Sequence, residues 1–441
     1  MSRVKGLNVQ VSVPGDKSIS HRAALLGAMA RGKTHVLGFA PGLDCWATLQ
    51  CIKALGVQVH VQGSEVLIDS PGAFALQEPS NVLDCMNSGT TMRLMSGVLA
   101  GQPFMSVLTG DSSLRNRPMA RVVEPLRAMG ARVDGRCGGT KAPLYIRGPA
   151  GTRSHLKPLR DYRLPVASAQ VKSCLLLAGL LADGETTILE TVPTRDHTER
   201  MLGLFGASIA TERCSEGTLV RVHGPQRLAP AQVEVPGDFS SAAFWLAAGA
   251  IVPESTVTVT NVGLNPLRTG FLAALRDMGC DVEVRLRPAI SWEPVGDVTV
   301  SASSLKAIQV LPEQVPSMVD EIPVLAVCAA MAQGTTCVRG AGELRHKESD
   351  RISAIVQNLR AMGASAGELE DGFWVEGGRP LRGARVNTMG DHRIAMAFAV
   401  AALVAEGDTV LDHPSCIDVS YPGFLGQLNE VVGKEKVMVK C

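Results

Sequence analysis

Short polar turns that combine basic side chains, hydroxyl groups and glycine recur along this sequence, each directly before an apolar, alanine-rich segment. The turn PGDKSISHRA brings Lys17 and Arg22 to a predicted helix start, and the turn NSGTTMRL brings Gly89 and two threonines to another. The free N–H groups and the dipole of a helix start attract anions, and a neighbouring lysine or arginine strengthens that attraction. Glycine also lets a ligand approach the backbone closely. Both turns therefore predict binding of phosphate or carboxylate groups.

Basic side chains occur at similar turns in both halves of the chain. Taken together, the basic residues of these turns are Lys17, Arg22, Arg93, Arg117, Lys172, Arg195, Lys347, Arg351 and Arg393. Few carboxylates accompany them besides Asp320 and Glu348, although the formal net charge of the whole chain is only +1. Arginine binds carboxylate and phosphate groups through paired hydrogen bonds. This local excess of positive charge predicts a cleft for a small polyanionic molecule.

Each turn taken alone also has a plainer interpretation. Arg117 could be a surface charge, and Asp320 could serve only as a favourable charge at a helix N-terminus. His197 and its acidic neighbours could form a metal site, but those acids are better explained as charges of a first helical turn. Residues 15–18, GDKS, resemble the end of a phosphate-binding Walker loop, yet the glycine before the lysine is missing. An ATPase is therefore disfavoured.

The elements that would carry these turns form a repeat. Polar turns near residues 18, 88, 168, 240, 320 and 392 each precede an apolar helix, at intervals of about 70 to 80 residues. A glycine and a strand pattern follow most of these helices. Most copies also contain a second amphipathic helix that ends at a glycine, as in VVEPLRAMGARV. The sequence therefore predicts six α/β units, each running strand, helix, strand, helix, strand, strand.

The simplest division of six units gives three to each of two domains. Residues 16–230 are predicted to form the first domain, and residues 1–15 with 231–441 the second, because residues 226–235 are rich in turn signals. The strand predicted over residues 7–13 could belong with either half. The cleft between the two domains is the expected ligand site.

Composition excludes several classes of protein. Of the 441 residues, 46% are hydrophobic, which suffices for sizeable cores, whereas only 4% are aromatic. Few aromatic residues and a near-zero charge disfavour a nucleic-acid-binding protein. The N-terminus lacks a secretory apolar core and the apolar run at 394–405 is too short for a membrane span, so we predict a cytoplasmic protein without a membrane partner. The eleven cysteines include no CxxC pair and are predicted to be reduced core residues.

Five motifs, found in order along the chain, resemble those of one enzyme family: PGDKSISHRA, NSGTTMRL, SAQVKS, HKESDR and GDHRIAMA. The sequence resembles the 5-enolpyruvylshikimate-3-phosphate (EPSP) synthases, or 3-phosphoshikimate 1-carboxyvinyltransferases. SAQVKS and RDHTER look like the bacterial branch of low glyphosate sensitivity. The resemblance implies an inside-out α/β barrel fold of two domains, each with three βαβαββ units, that close around the substrates.

The resemblance also implies a reaction of the shikimate pathway, which leads to chorismate and the aromatic amino acids. The enolpyruvyl group of phosphoenolpyruvate is transferred to the 5-hydroxyl of shikimate 3-phosphate, and phosphate leaves from a tetrahedral intermediate. Asp320 is implied to accept the hydroxyl proton, Glu348 to handle the proton at the methylene carbon, and Lys17 to assist at the phosphate. No metal or organic cofactor is implied, and we expect a monomer.

The family pattern further implies which residues bind each substrate. For shikimate 3-phosphate they are Lys17, Ser18, Arg22, Thr90, Ser168, Ala169, Gln170, Arg195, Asp320 and Lys347. For phosphoenolpyruvate they are Lys17, Gly89, Arg117, Gln170, Lys347, Glu348, Arg351 and Arg393. Two positions depart from the pattern, because Val419 replaces a lysine that contacts phosphate in many members and Leu94 replaces a proline of many sensitive members. These departures affect one phosphate contact and the expected sensitivity to glyphosate.

Two alternative functions are compatible with parts of this pattern. The related UDP-N-acetylglucosamine enolpyruvyl transferases share the fold and the donor, but they carry asparagine where Ser18 follows Lys17. An RNA-binding or RNA-end-processing protein could use similar units, although the low aromatic content and the charge disfavour it.

Overall fold

The strand and helix pattern predicted for each repeat is present along the chain. The computed structural model describes residue 4 and residues 6–149, 156–288 and 292–433. Within them, the order strand, helix, strand, helix, strand, strand occurs in five successive repeats, one of which has an extra helical turn. This order confirms the α/β class and the repeated unit.

The first three repeats contain the following elements. The first has β1 (Asn8–Ser12), α1 (Lys17–Met29), β2 (Arg31–Leu37), α2 (Leu43–Ala54), β3 (Gln58–Gln62) and β4 (Glu65–Pro71). The second has β5 (Leu83–Asp84), α3 (Gly89–Ala100), β6 (Met105–Thr109), α4 (Ala120–Ala128), β7 (Arg132–Gly135), the short turn α5 (Arg136–Gly139) and β8 (Lys141–Arg147). The third has β9 (Tyr162–Arg163), α6 (Ala169–Gly179), β10 (Gly184–Glu190), α7 (His197–Leu204), β11 (Ile209–Cys214) and β12 (Gly217–Gly224).

The last three repeats continue in the same order. The fourth has β13 (Gln232–Glu234), α8 (Phe239–Ile251), β14 (Thr256–Gly263), α9 (Gly270–Asp277), β15 (Asp281–Leu286) and β16 (Val295–Ser301). The fifth has β17 (Gln309–Val310), α10 (Ile322–Met331), β18 (Thr335–Val338), α11 (Arg351–Ala361), β19 (Ser365–Leu369) and β20 (Gly372–Glu376). The sixth has β21 (Arg385–Val386), α12 (His392–Ala402), β22 (Val410–Leu411) and α13 (Phe424–Val432).

The complete repeats form four-stranded mixed sheets of one topology. In the order β5-β6-β8-β7, for example, the first pair is parallel and the other two pairs are antiparallel. The helix between the first two strands provides the crossover that a parallel pair requires. In the sixth repeat β21 and β22 form a parallel pair, and α13 takes the position of the second helix. The described residues end at 433, directly after α13.

Two first strands are exchanged between the first and fourth repeats. β1 precedes α1 but pairs with β14, and β13 precedes α8 but pairs with β2. The chain accordingly divides into an N-terminal unit, Gly15–Val235, and a C-terminal unit that combines Met1–Pro14 with Pro236–Cys441. Because β2 binds β13, residues 231–235 lie in the N-terminal unit, and not in the second domain as the sequence suggested. Gly15 is likewise part of the N-terminal unit.

Apolar helices form the interior of each unit. In the C-terminal unit α8, α10 and α12 contact one another, and every residue of α8 and α12 is buried. A helix that is apolar on all sides has to be buried on all sides. In the N-terminal unit α3 packs against α6 and contacts α1. Over the described ranges, no helix is both long enough and apolar enough to span a membrane.

The contact between α3 and α6 depends on a glycine. A Cβ atom on Gly97 would lie 2.1 Å from the carbonyl oxygen of Cys174, so the two helix backbones touch at this point. We expect Gly97→Ala to lower the free energy of unfolding by ~1–3 kcal/mol, because the helices must separate to admit the methyl group. Urea unfolding followed by circular dichroism would measure this change.

Gly203→Ala in α7 is the matched control for this prediction. A Cβ atom there would meet no atom within 4 Å, and alanine favours a helix over glycine by up to ~1 kcal/mol. Equal losses of stability in the two variants would contradict the close contact between α3 and α6.

Candidate active site

Three helices of the N-terminal unit begin with a capped turn next to residues predicted to bind anions. The capping side chains and the residues whose N–H groups donate to them are Asp16 and Ile19 in α1, Ser88 and Thr91 in α3, and Ser168 and Val171 in α6. A cap of this kind fixes the first helical turn, where the N–H groups have no partner within the helix. Lys17, Gly89 and Ala169 are therefore the first residues of three anchored helix starts.

A carboxylate of the neighbouring helix holds Lys17. Its Nζ lies 2.8 Å from Asp44 Oδ2, and 18% of the Lys17 side chain is exposed. Asp44 belongs to the first turn of α2, and sequence reasoning missed it because acidic residues are common there. The ion pair keeps the ammonium group at the start of α1 and leaves part of it accessible.

Arg22 connects three helices. Its Nε donates to Thr198 Oγ1 of α7 at 2.7 Å, and its Nη2 donates to Ser173 Oγ of α6 at 2.7 Å. Its Nη1 donates to the carbonyl oxygen of Ser18 at 2.8 Å. The residue implied to bind shikimate 3-phosphate thus also fixes the start of α1 relative to α6 and α7.

Two arginines border the start of α3. Arg93 Nη1 donates to Gln170 Oε1 at 2.6 Å, and Gln170 Nε2 donates to Thr90 Oγ1 at 2.9 Å. A Cβ atom on Gly89 would lie 2.9 Å from Arg93 Nη1 and 3.2 Å from Arg117 Nη1. Glycine therefore leaves the room that both guanidinium groups occupy. The structure brings the predicted residues Gly89, Thr90, Arg117 and Gln170 together, with Arg93 beside them.

Lys172, in contrast, does not face a ligand. Its side chain is fully buried, with Nζ 2.8 Å from Glu190 Oε2, 2.6 Å from Glu199 Oε1 and 3.3 Å from the carbonyl oxygen of Thr194. Burial alone would lower the pKa of Lys172, but the two carboxylates outweigh burial and raise it. The expectation that Lys172 contributes to an anion-binding cleft is wrong, because its charge is already matched. The cluster instead ties α6 to β10 and α7, next to Arg195.

Four cationic side chains surround the carboxylate of Asp320 in the C-terminal unit. Their distances from its oxygens are 3.6 Å for Arg351 Nη1, 3.7 Å for Lys347 Nζ, 3.8 Å for Arg268 Nη1 and 3.9 Å for Arg393 Nε. Positive charges this close favour the ionised form of a carboxylic acid. With 14% of its side chain exposed, Asp320 is also accessible to a ligand.

Arg351 is matched by two carboxylates. Its Nε lies 2.8 Å from Asp391 Oδ2, and its Nη2 lies 2.6 Å from Glu348 Oε2. Asp391 also accepts the N–H of Arg393, so this ion pair joins the starts of α11 and α12. Burial acts to raise the pKa of Asp391, but the charge of Arg351 outweighs it and the pKa lies below its usual value. Glu348 remains 18% exposed, so a ligand can reach its carboxylate.

Arg268 and Glu321 form a second buried pair, which sequence reasoning missed. Arg268 Nη1 lies 3.2 Å from Glu321 Oε1, and the hydroxyl group of Ser240 donates to the same oxygen. Arg268 lies in a turn before α9, where no periodic pattern marks it. The one available signal was that Asp320 and Glu321 are consecutive acids before an apolar helix.

The structure also bears on the metal site considered for His197 and on the state of the cysteines. Among the residues that the structure describes, no group of three or more His, Cys, Asp or Glu side chains could hold a metal ion. Asp196, next to His197, pairs with Arg200. The described cysteines are free thiols, and most of them are buried. Cys137 and Cys214 are exposed, so the prediction that the cysteines are core residues is wrong for these two.

Similarity to known proteins identifies the family. A family model described as EPSP synthase (3-phosphoshikimate 1-carboxyvinyltransferase) matches residues 1–428. The chain belongs to the EPSP synthase family. The 3-phosphoshikimate 1-carboxyvinyltransferase of Synechococcus sp. strain JA-3-3Ab is 51% identical over 435 residues, covering 98% of this chain and 96% of that protein. The protein of the same name from Geobacillus kaustophilus is 48% identical over 433 residues, covering 98% and 99%.

Solved structures of EPSP synthases share this fold. The EPSP synthase from Acinetobacter baumannii has a TM-score of 0.84 at 41% identity, with 97% of each chain covered. The enolpyruvyl transferase NikO from Streptomyces tendae has a TM-score of 0.75 at 18% identity, covering 97% of this chain and 96% of its own. The second likeness concerns the fold alone. Both confirm the α/β fold that the motifs implied for this EPSP synthase family member.

A chain of hydroxyl groups connects the start of α3 to a buried histidine of α1. His21 Nδ1 lies 2.6 Å from Thr48 Oγ1, which lies 2.7 Å from Thr91 Oγ1. Thr91 in turn donates to Ser88 Oγ at 2.8 Å. Burial lowers the pKa of His21 from its usual 6.5 to about 3. The imidazole ring is therefore neutral in the folded protein at pH 7.

The neutral state of His21 predicts a pH dependence of stability. Below pH 6.5 the unfolded chain binds a proton at His21, whereas the folded chain does not until about pH 3. Folding therefore loses ~1.4 kcal/mol per pH unit on acidification through this residue. In His21→Gln the titration is absent, so the advantage of the wild type over the variant should shrink as the pH falls.

Urea unfolding of both proteins between about pH 7 and pH 5 would measure this slope. His60→Gln, at an exposed position of β3, is the control for the loss of a histidine. A stability difference between wild type and His21→Gln that stays constant over this range would contradict the prediction.

Proposed function

We propose that this protein transfers the enolpyruvyl group of phosphoenolpyruvate to the 5-hydroxyl of shikimate 3-phosphate and releases phosphate. The observation that carries the proposal is the carboxylate of Asp320 with four cationic side chains 3.6–3.9 Å away, in a chain of this family. Both substrates bear phosphate and carboxylate groups, which cations bind, and the reaction needs an acceptor for a hydroxyl proton. One cluster of the C-terminal unit offers both.

The helix starts of the N-terminal unit are assigned to shikimate 3-phosphate. The residues assigned there are Lys17, Ser18, Arg22, Thr90, Ser168, Ala169, Gln170 and Arg195, with Asp320 and Lys347 from the C-terminal unit. Three observations support this assignment: α1, α3 and α6 have anchored first turns, Arg22 joins α1 to α6, and Gln170 is oriented by Arg93. Anchored helix starts bind anions without first having to become ordered.

Phosphoenolpyruvate is assigned to cations of both units. The residues are Lys17, Gly89, Arg117 and Gln170 of the N-terminal unit, and Lys347, Glu348, Arg351 and Arg393 of the C-terminal unit. The room beside Gly89 and the matched position of Arg351 support this assignment. The residues assigned to this substrate therefore come from both units.

The proposed mechanism divides the proton transfers between two carboxylates. Asp320 takes the proton of the 5-hydroxyl as that oxygen attacks the central carbon of phosphoenolpyruvate, and protonated Glu348 gives a proton to the methylene carbon. In the elimination, the new methyl group returns a proton to Glu348 and the carbon–oxygen bond to phosphate breaks. The proton held by Asp320 leaves with the phosphate, which Lys17 stabilises. Cations held in place by their ion pairs stabilise the negative charge that develops in both the addition and the elimination.

The related UDP-N-acetylglucosamine enolpyruvyl transferase reaction is the less supported function, because the similar proteins named above are 3-phosphoshikimate 1-carboxyvinyltransferases.

Four properties stay predictions: a cytoplasmic location, a monomeric state, the absence of nucleic-acid binding and the degree of glyphosate sensitivity.

Substrate specificity tests the proposed function directly. We expect phosphate release from phosphoenolpyruvate only when shikimate 3-phosphate is present, because its 5-hydroxyl is the attacking group. A continuous phosphate assay would measure the rate, and isothermal titration would measure binding of shikimate 3-phosphate alone. UDP-N-acetylglucosamine is the control acceptor, and phosphate release with it but not with shikimate 3-phosphate would refute the proposal.

Asp320→Asn tests the proton acceptor. The amide keeps the size of the side chain but cannot take a proton, so we expect kcat to fall by ~10²- to 10⁴-fold while binding of shikimate 3-phosphate persists. Steady-state kinetics and titration would measure the two quantities. Asp297→Asn is the control, since Asp297 pairs with Arg287 in a solvent-accessible position of the same unit. If Asp320→Asn turns over within a few-fold of the wild-type rate, Asp320 is not the proton acceptor and serves only as a charge at a helix N-terminus.

A further inference from the structure

Arg268 is a buried cation near Asp320 that is assigned to neither substrate. It lies in the turn before α9 with 2% of its surface exposed. Its Nη1 lies 3.2 Å and 3.4 Å from the two carboxylate oxygens of Glu321, and its Nη2 donates to Ser240 Oγ and lies 3.5 Å from Asp238 Oδ1. Its Nη1 also lies 3.8 Å from Asp320 Oδ2. The guanidinium group therefore connects the starts of α8 and α10.

Arg393 lies between the carboxylates of the same two consecutive acids. Its Nη1 is 3.9 Å from Glu321 Oε1, its Nε is 3.9 Å from Asp320 Oδ1, and Nη1 donates to the carbonyl oxygen of Asp320 at 3.3 Å. Glu321 is 1% exposed, so water cannot stabilise its charge. How Arg393 is oriented therefore depends on how much of the Glu321 charge is already neutralised.

The neighbouring cations cannot easily replace Arg268. Arg351 is held by Asp391 and Glu348 at 2.8 Å and 2.6 Å. Lys347 is paired with Asp320 at 3.7 Å and is 30% exposed. Among the described residues, Arg393 also lies beside Glu321, with Nη1 3.9 Å from Oε1. A buried carboxylate that loses a cation attracts the nearest remaining positive group, so without Arg268 the side chain of Arg393 would be drawn to Glu321.

We propose that Arg268 is a positioning residue of this enzyme: by pairing with Glu321, it leaves Arg393 available to the anionic donor. This inference rests on the proposed function, in which Arg393 binds phosphoenolpyruvate. Arg268 touches neither substrate in this account. Its effect passes through the charge of Glu321, so removing that charge together with Arg268 should restore the orientation of Arg393.

Three variants test the inference: Arg268→Gln, Glu321→Gln and the double variant. For Arg268→Gln we expect the KM for phosphoenolpyruvate to rise by about 10-fold or more, while the KM for shikimate 3-phosphate changes by less than about 3-fold. In the double variant, the KM for phosphoenolpyruvate should return to within about 3-fold of wild type, because residue 321 no longer carries a charge that attracts Arg393. Rescue by a second substitution separates this role from simple loss of folding.

The test includes a control variant and defined outcomes that would contradict the inference. Arg287→Gln removes a more exposed arginine of the same unit, paired with Asp297 at 2.9 Å, and should leave both KM values unchanged. Equal rises in both KM values for Arg268→Gln, or no rescue in the double variant, would overturn the inference. If Arg268→Gln does not fold, a 10-fold rise in the donor KM of the double variant over Glu321→Gln would overturn it. Inactive wild-type enzyme would instead refute the proposed function.

Discussion

The starts of the buried helices bring positive charges close together, and each buried charge needs polar partners before any substrate arrives. Hydroxyl and carbonyl groups are partners of Arg22. Removing a guanidinium or ammonium group from water without a partner costs more than a fold of marginal stability can bear. The structure meets this constraint with carboxylates placed one helix away, as for Lys17 with Asp44 and Arg351 with Asp391. The pairs explain how a chain of near-zero net charge can concentrate cations at a few turns.

The repeated unit is what brings these pairs together. A polar turn follows the first strand of each repeat and becomes a first helical turn. A side chain caps this turn in α1, α3, α6, α8 and α12, whereas α10 begins without a side-chain cap. Arg351 at the start of α11 and Asp391 at the cap of α12 are 40 residues apart in sequence, yet their side chains meet because consecutive repeats are adjacent in the C-terminal unit. The chain passes from one unit to the other in the first and fourth repeats. Because β1 and β13 are exchanged there, the sheets of these two repeats have the same topology as the other four-stranded sheets.

This architecture also explains what the sequence could predict. Helix starts, the repeat and the basic residues were visible because they follow local patterns of small residues, caps and glycines. Glu190 and Arg268 were not, because no periodicity marks them and their partners are distant in sequence: Arg268 and Glu321 are 53 residues apart. Lys172 was misinterpreted for the same reason, since only the fold shows that two glutamates already surround it.

The polar contacts near the helix starts differ between the two units. Around α1, α3 and α6, hydroxyl groups, an amide and the neutral ring of His21 form hydrogen bonds beside the ion pairs of Lys17 and Lys172. Around α10, α11 and α12 the contacts are carboxylates, and two of them, Asp320 and Glu348, keep 14% and 18% of their side chains exposed. A carboxylate can move a proton only where solvent or a ligand reaches it. Asp320 and Glu348 are therefore carboxylates that a ligand can reach, as the proposed acid–base steps require.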